Sequence, residues 1–277
     1  MTSTPDTVLD HLPLGTRVVV RHRLPEDGRA TDALGALVRV ERDRVTVGTR
    51  AGEVSIERAA VLVAKAVPEQ VWRLASFLRR AGVAVLDLDG VLRGFDADGG
   101  RTRSEQELGL PELGMVDIAY GLPEARDMVV GRSTYARWLT ALEARLLELG
   151  HPQDQVTAAV RRWEEDRGTP IRRTTALVDE LLADGIPLFV LTNGTDRVPD
   201  ELHRIGLGHL AERLLNTHDL GFAKPTPEAY AVAHAEIERR LGRQVGVAEV
   251  RFTDDRVDNV EAAREFGWRG QVFALPG

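Results

Sequence analysis

Cysteine does not occur in this chain of 277 residues, which excludes disulfides and thiolate metal sites and permits a reducing compartment. Lysine is nearly as scarce: of the 36 basic residues only Lys65 and Lys224 are not arginine. No apolar run approaches the roughly 20 residues that a membrane-spanning helix needs. The opening MTSTPDTVLD lacks the basic-then-apolar form of a secretory signal, so a cytoplasmic location with no membrane partner is the expectation. Positive charge is not in excess either; a net charge of −7 argues against a general nucleic-acid binder, whose domain should be basic. The seven histidines are scattered with no pair at ligand spacing, and no internal repeat or low-complexity segment stands out.

What is present is ordinary globular material, 43% hydrophobic and 29% charged, enough for one large domain or two modest ones. Residues 15–66 read as all-β: TRVVVRHR, TDALGALVRVE, RVTVGTR, GEVSIER and AVLVAK are short β-branched runs separated by glycine and charged turns. Five strands in so short a span suit a small closed barrel. Pro68 then opens a helix in which Val71, Leu74, Phe77 and Leu78 recur at helical spacing. From residue 83 the grammar changes. The runs VAVLDLD, PLFVLTN, ERLLNT, EVRFTDD and QVFALP read as strands, and helical segments alternate with them. That alternation predicts a Rossmann-like parallel sheet covered on both faces.

Between the first and second of these strands lies a stretch too long for a simple crossover, so it must carry structure of its own. STYARWLTALEARLLELG places Tyr135, Trp138, Leu139, Leu142, Leu146 and Leu149 on one helical face, and QDQVTAAVRRWEEDRG follows after a break containing proline. The spacing predicts an α-helical hairpin inserted into the α/β core at about 95–172, with Trp138 and Trp163 as packing residues. Asp96 and Asp98 fall in a loop leading into it, and Arg101, Arg103 and Arg132 are candidate anion contacts on its inner side.

Parallel α/β sheets bind ligands beyond the carboxyl ends of their strands, and three predicted strands end on unusual polar groups. The first ends in Asp87 and Asp89 followed by Gly90, the second in Thr192 and Asn193, a later one in Asp254 and Asp255, and GFAKPTPEAY places Lys224 just before a helix. Four carboxylates gathered at one edge require a cation, and an oxygen-only set points to Mg2+. A metal ion beside an ammonium would welcome a dianion such as phosphate. One carboxylate can then act as a nucleophile and a second, two residues on, as general acid and base. Thr192 and backbone N–H groups after Asp87 would hold the phosphoryl oxygens. Asp258 and Asn259 read as the cap or start of a helix.

Four segments in this order, VLDLDGVL, FVLTNGT, GFAKPTPEAY and VRFTDDRVDNVEAAREFG, resemble the motifs of the haloacid dehalogenase-like (HAD) hydrolase superfamily, in its subfamily with a helical cap after the first motif. The resemblance covers residues 82–277. It implies Asp87 as nucleophile and metal ligand, and Asp89 as general acid/base with its backbone carbonyl on the metal. It implies Thr192 as phosphoryl-binding, with Gly90 and Asn193 beside it. Lys224 would steady the phosphoryl group and Asp87, and Asp255 would ligate magnesium directly, with Asp254 in or next to its coordination sphere. The implied activity is a Mg2+-dependent phosphatase acting on a small phosphorylated metabolite, a sugar phosphate among the options, through a phospho-aspartate. Phosphomutase and dehalogenase chemistry are its alternatives within the superfamily.

The expected domains are then 1–67, an all-β module, 68–81, a connecting helix, and 82–277, the capped core. The module resembles the SH3-like barrel found ahead of some actinobacterial GNAT-type acetyltransferases. Its ten Arg/Lys against seven Asp/Glu between residues 15 and 67 read as a solvated face. A protein partner is the expectation for it, and a non-catalytic binding or regulatory protein built on it is the competing reading for the whole chain.

Overall fold

The computed structural model describes residues 8–24, 28–49, 52–66, 70–95 and 100–274. The chain divides between Arg73 and Leu74 into two compact units. In the first, β1 (Arg17–Arg23), β2 (Ala30–Val40), β3 (Arg44–Thr49), β4 (Gly52–Glu57) and β5 (Val61–Ala66) form one antiparallel sheet in the order β4-β3-β2-β1-β5. Alternation along RVVVRHR sends Val18, Val20 and His22 inward, where both valines join Leu9, Leu37, Val45, Val47 and Ile56. Gly35 is required where β2 crosses β3, because a Cβ there would lie 2.0 Å from the Gly48 carbonyl oxygen. The expected closed barrel is not formed by ladders: among the described residues β4 and β5 stay unpaired with each other, since the 3-10 turn Arg58–Ala60 carries the chain from one outer strand to the other. That turn is pinned by Arg58, whose guanidinium donates to both Asp10 oxygens at 2.7 Å.

The second unit begins within α1 (Gln70–Leu78) and runs through β6 (Val83–Leu86) and β7 (Arg93–Gly94) into five helices. These are α2 (Gly100–Leu108), α3 (Gly114–Gly121), α4 (Pro123–Val129), α5 (Tyr135–Glu148) and α6 (Gln153–Glu165). The chain returns by β8 (Thr169–Pro170) to α7 (Arg172–Ala183), β9 (Leu188–Thr192), α8 (Val198–Arg204), β10 (Leu214–Asn216) and α9 (Thr217–Leu220). It closes with α10 (Pro227–Leu241), β11 (Val250–Asp254), α11 (Val257–Phe266) and β12 (Arg269–Val272).

The core sheet is parallel, in the order β10-β9-β6-β11-β12. Every residue of β6 and β9 is buried, as a strand covered on both faces demands. Alternation splits β6 between two cores: Ala84 and Leu86 pack with Leu74, Leu78, Leu177 and Leu181 on one face, Val83 and Val85 with Tyr230, Phe252 and Trp268 on the other. Strand order reverses around β6, so its carboxyl end, carrying Asp87, opens on the crevice where such sheets take ligands.

The insertion holds its own core of Met115, Met128, Trp138, Leu142, Leu146, Val156 and Trp163. Both tryptophans are packing residues as expected, and the Trp138 indole donates to the Ala119 carbonyl at 2.7 Å. The expected hairpin is α5 and α6; α2, α3 and α4 are additional. The insertion is tied to the core by β7 and β8, which pair antiparallel with Arg93 opposite Pro170 and Gly94 opposite Thr169. A second tie lies at Gly131, where a Cβ would fall 2.3 Å from the His218 carbonyl oxygen. Close by, the Thr217 hydroxyl donates to the Val129 carbonyl at 2.8 Å.

Candidate active site

Asp87 follows the last residue of β6 and is 6% exposed. Its amide donates to the Thr253 carbonyl at 2.9 Å, extending the pairing of β6 with β11 by one residue and fixing the backbone that aims the carboxylate. One carboxylate oxygen accepts the Leu88 amide at 2.8 Å and lies 2.9 Å from Lys224 Nζ. Asp254 ends β11 fully buried. It accepts Lys224 Nζ at 2.6 Å, the Asn259 amide group at 3.0 and 3.1 Å, and the Arg256 N–H at 2.9 Å. Lys224 is itself 4% exposed and spends a third donor on the Leu191 carbonyl at 2.9 Å. Its backbone is clamped in both directions by the Asn193 side chain, each bond 2.8 Å. Asn193 therefore sets the lysine in place.

One ammonium thus serves two buried carboxylates. Burial pulls the lysine pKa down, but Asp87 and Asp254 outweigh it and hold the group above its ordinary value. Asp87 goes the other way: burial, against the pull of Lys224 and with the repulsion of Asp254, pushes it up to about 7. Asp255, exposed at the rim, is also raised, by burial and then by Asp254. Carboxylate oxygens of Asp87, Asp254 and Asp255 lie within 4.8 Å of one another. With one cation for three acids the cluster retains negative charge, and its hard oxygen donors fit a divalent ion of the magnesium type. Gly90 makes the approach of Asp255 possible. Its φ is +80°, and a Cβ there would sit 2.2 Å from Asp255 Oδ2.

Thr192 ends β9 at 2% exposure, and its hydroxyl makes no hydrogen bond among the described residues. Asp89 adds no carboxylate to the acidic cluster. Its two oxygens are gripped by Arg93, Nε at 2.6 Å and Nη2 at 3.1 Å, and Arg93 Nη1 donates to Glu201 at 2.8 Å. Arg93 is only 4% exposed; burial works against its charge, but Asp89 and Glu201 override it and raise its pKa. Glu201 also faces Arg197 at 3.8 Å, and the Arg197 guanidinium stacks 4.2 Å over the Tyr135 ring at the start of α5. An ionic chain therefore links Asp89 to the insertion.

Arg93, Glu201 and Asn259 are site residues not expected from the sequence. Asn259, expected as a cap only, orients Asp254 from the first turn of α11, a signal present in the spacing of DDRVDN. Glu201 lies 108 residues from Arg93 and carries no local signal. Arg103 and Arg132, expected as anion contacts, are instead exposed and paired with Glu107 at 3.0 Å and Asp127 at 2.8 Å. Asp96, Asp98 and the Arg101 side chain lie outside the described residues. Asp258 meets the expectation of a helix-end residue, accepting the Asn259 amide at 3.0 Å.

Fold and site together define a capped α/β hydrolase whose acids converge at the carboxyl edge of a parallel sheet. The chain belongs to the haloacid dehalogenase-like hydrolase family, whose sequence profile matches residues 81–267. Residues 12–65 match a different profile, the Rv0428c N-terminal Sm-like domain, where the sequence reading expected an SH3-like module. Among curated proteins, an uncharacterized hydrolase of Schizosaccharomyces pombe is 28% identical over 83 residues, 30% of this chain and 36% of that protein. The (S)-2-haloacid dehalogenase 2 of Pseudomonas sp. is 26% identical over 101 residues, 36% of this chain and 42% of that protein. The chain thus spans about two fifths or less of the curated relatives it matches.

The fold recurs among solved structures. The HAD family enzyme BT-2542 of Bacteroides thetaiotaomicron, in complex with magnesium and inorganic phosphate, is 18% identical with a TM-score of 0.51, over 70% of this chain and 95% of that one. A dehalogenase is 20% identical with a TM-score of 0.53, over 68% and 82%. Among the described residues no helix is long and apolar enough to cross a membrane.

Proposed function

We propose that the chain is a Mg2+-dependent phosphatase of small phosphorylated metabolites, working through a phosphoryl group carried on Asp87. The observation that carries this reading is the convergence of Asp87, Asp254 and Asp255 within 4.8 Å around a single lysine. A dehalogenase attacking carbon has no use for that third acid or for an acid at position 89. Magnesium, held by these three carboxylates with the Asp89 carbonyl expected as a further ligand, would neutralise them and draw charge from the phosphoryl oxygens. The complex of BT-2542 with magnesium and phosphate supports the same choice.

In this reading Asp87 attacks phosphorus along the line of the ester bond, and Asp89 gives its proton to the departing oxygen. Asp89 then takes a proton from water, which attacks the phospho-aspartate and restores Asp87. Lys224 and the free Thr192 hydroxyl hold the phosphoryl oxygens through both steps. Arg93 holds both Asp89 oxygens in the structure. For the first step that carboxyl must leave the guanidinium and carry a proton.

Phosphate release from a panel of phosphomonoesters, with magnesium and with EDTA, tests the proposal. Turnover is expected with magnesium only, and Asp87→Asn is expected to abolish it while the protein stays folded. Release that persists in EDTA, or in that variant, sinks it. Halide release from 2-haloacids in EDTA would move the chain to dehalogenase chemistry.

A further inference from the structure

Four buried side-chain atoms meet no hydrogen-bond partner among the described residues: Ser133 Oγ, Arg167 Nε and Nη1, and Arg197 Nη1. Such groups are few in folded proteins and call for a reason, an absent ligand among them. Arg197 has an answer close by, with Glu164 at 3.6 Å and Glu201 at 3.8 Å. Arg167 does not. No carboxylate pairs with it among the described residues, in a chain with 43 acids against 36 bases. Its neighbour Asp166 accepts the Gly168 amide at 2.9 Å. The buried Glu201 is held by Arg93.

The position of Arg167 gives this unmet charge a meaning. It is the last residue but one before β8, on the strap that returns from insertion to core. Its carbonyl accepts Arg93 Nη1 at 3.4 Å, and Arg93 is the residue that grips Asp89. Gly168, φ +67°, lets the strap press against that same side chain, since a Cβ would lie 2.9 Å from Arg93 Cγ. At the start of α5 stands Tyr135, 7% exposed, whose hydroxyl also forms no hydrogen bond among the described residues. Burial raises the pKa of that phenol; Arg197 and Arg167 oppose the rise, so the charge of Arg167 is felt at the phenol. A planar guanidinium whose Nε and Nη1 are unpartnered among the described residues is suited to carboxylate or phosphate oxygens.

We propose that Arg167, with the Tyr135 hydroxyl, receives a second anionic group of the substrate, so that the compound turned over at Asp87 is a phosphomonoester bearing a further carboxylate or phosphate. This rests on the phosphatase reading for its chemistry and on Arg167 for its specificity. The substrate bridges core and insertion, its phosphoryl group at Asp87 and its other charge at the strap.

The test compares 2-hydroxyethyl phosphate with two relatives that carry a second anion, phosphoglycolate and propane-1,3-diol bisphosphate. With magnesium, kcat/KM for at least one of these is expected to exceed that for the hydroxyethyl ester by tenfold or more. Arg167→Gln should cut this preference at least tenfold, and Arg167→Lys should restore part of it. The preference is a ratio, so a smaller folded fraction leaves it unchanged. Which relative gains more tells carboxylate from phosphate. A ratio equal in wild type and Arg167→Gln overturns the proposal.

Calorimetric binding of the same three compounds to the Asp87→Asn protein, with and without Arg167→Gln, keeps the two readings apart. If the anionic compounds bind more tightly through Arg167 but wild type releases no phosphate, the anion site stands and the phosphatase falls. If wild type releases phosphate with no preference for a second anion, the phosphatase stands and the anion site falls.

Discussion

Asp87 is asked to ionise inside the protein beside Asp254, with half of one lysine to help. That has a consequence measurable without a substrate. Its pKa rises from 3.8 to about 7, so the native state binds more protons than the unfolded chain between those values. This group's favourable contribution is complete below pH 3.8 and is lost as pH rises through 7. In metal-free protein, Asp87→Asn should therefore match wild type near pH 4 and exceed its stability by about 2–4 kcal/mol at pH 8. Chemical denaturation across that range measures the gap, and a gap independent of pH rejects the account. Lys224 is the opposite case. Lys224→Met leaves two buried carboxylates without their cation and should cost about 3–5 kcal/mol, read as a shifted denaturation midpoint. At Gly90 the limit is space rather than charge: Gly90→Ala must displace Asp255. Weaker magnesium binding by about tenfold or more is expected from so close a disturbance, measured by titrating metal-dependent turnover.

At the scale of elements, β1–β6, β9–β12 and the helices α7, α8, α10 and α11 were legible from period and punctuation; the two-residue strands β7 and β8 were not. The insertion was legible only where its helices are amphipathic. In α5, TYARWLTALEARLL carries a continuous apolar face. In α2, GRTRSEQEL turns Ser104 and Glu105 inward, and Glu105 accepts the Met115 amide at 3.1 Å. An apolar template does not see a helix whose inner face is polar and satisfied elsewhere. The site divides in the same way. Asp87, Thr192, Lys224 and Asp254 sit at strand ends or helix starts and were readable from those positions; the Asp89–Arg93–Glu201 chain depends on tertiary contact. That chain predicts an outcome of its own. Arg93→Met frees Asp89 from its grip and leaves Glu201 buried with Arg197 alone. Since Asp89 donates its proton only off the guanidinium, alkyl phosphates, whose leaving oxygen needs that proton, should keep at least as large a share of their turnover as p-nitrophenyl phosphate does. A loss confined to alkyl phosphates would mean that Arg93 positions Asp89 for the first step instead.

For the whole molecule, the division between Arg73 and Leu74 falls inside a helix, and this decides where the chain can be cut. Leu74 and Leu78 of α1 are fully buried in the core that includes Leu86 and Leu188. A chain beginning at Pro68 should retain the phosphatase activity proposed for the intact protein. One beginning at Gly82 should lose thermal stability sharply, because each buried leucine removed costs about 2–5 kcal/mol. Circular dichroism melts of the two truncations distinguish these outcomes; equal melting would deny α1 a place in the catalytic unit.

The pairing of Gly94 with Thr169 means that outgoing and returning chain leave the sheet as one two-residue ribbon. The inserted helices thus join the core covalently through one short ribbon, a swivel that the Thr217–Val129 tie holds in place. In a protein with no thiol of its own, one engineered cysteine on each side of that swivel would report its swing without background labelling.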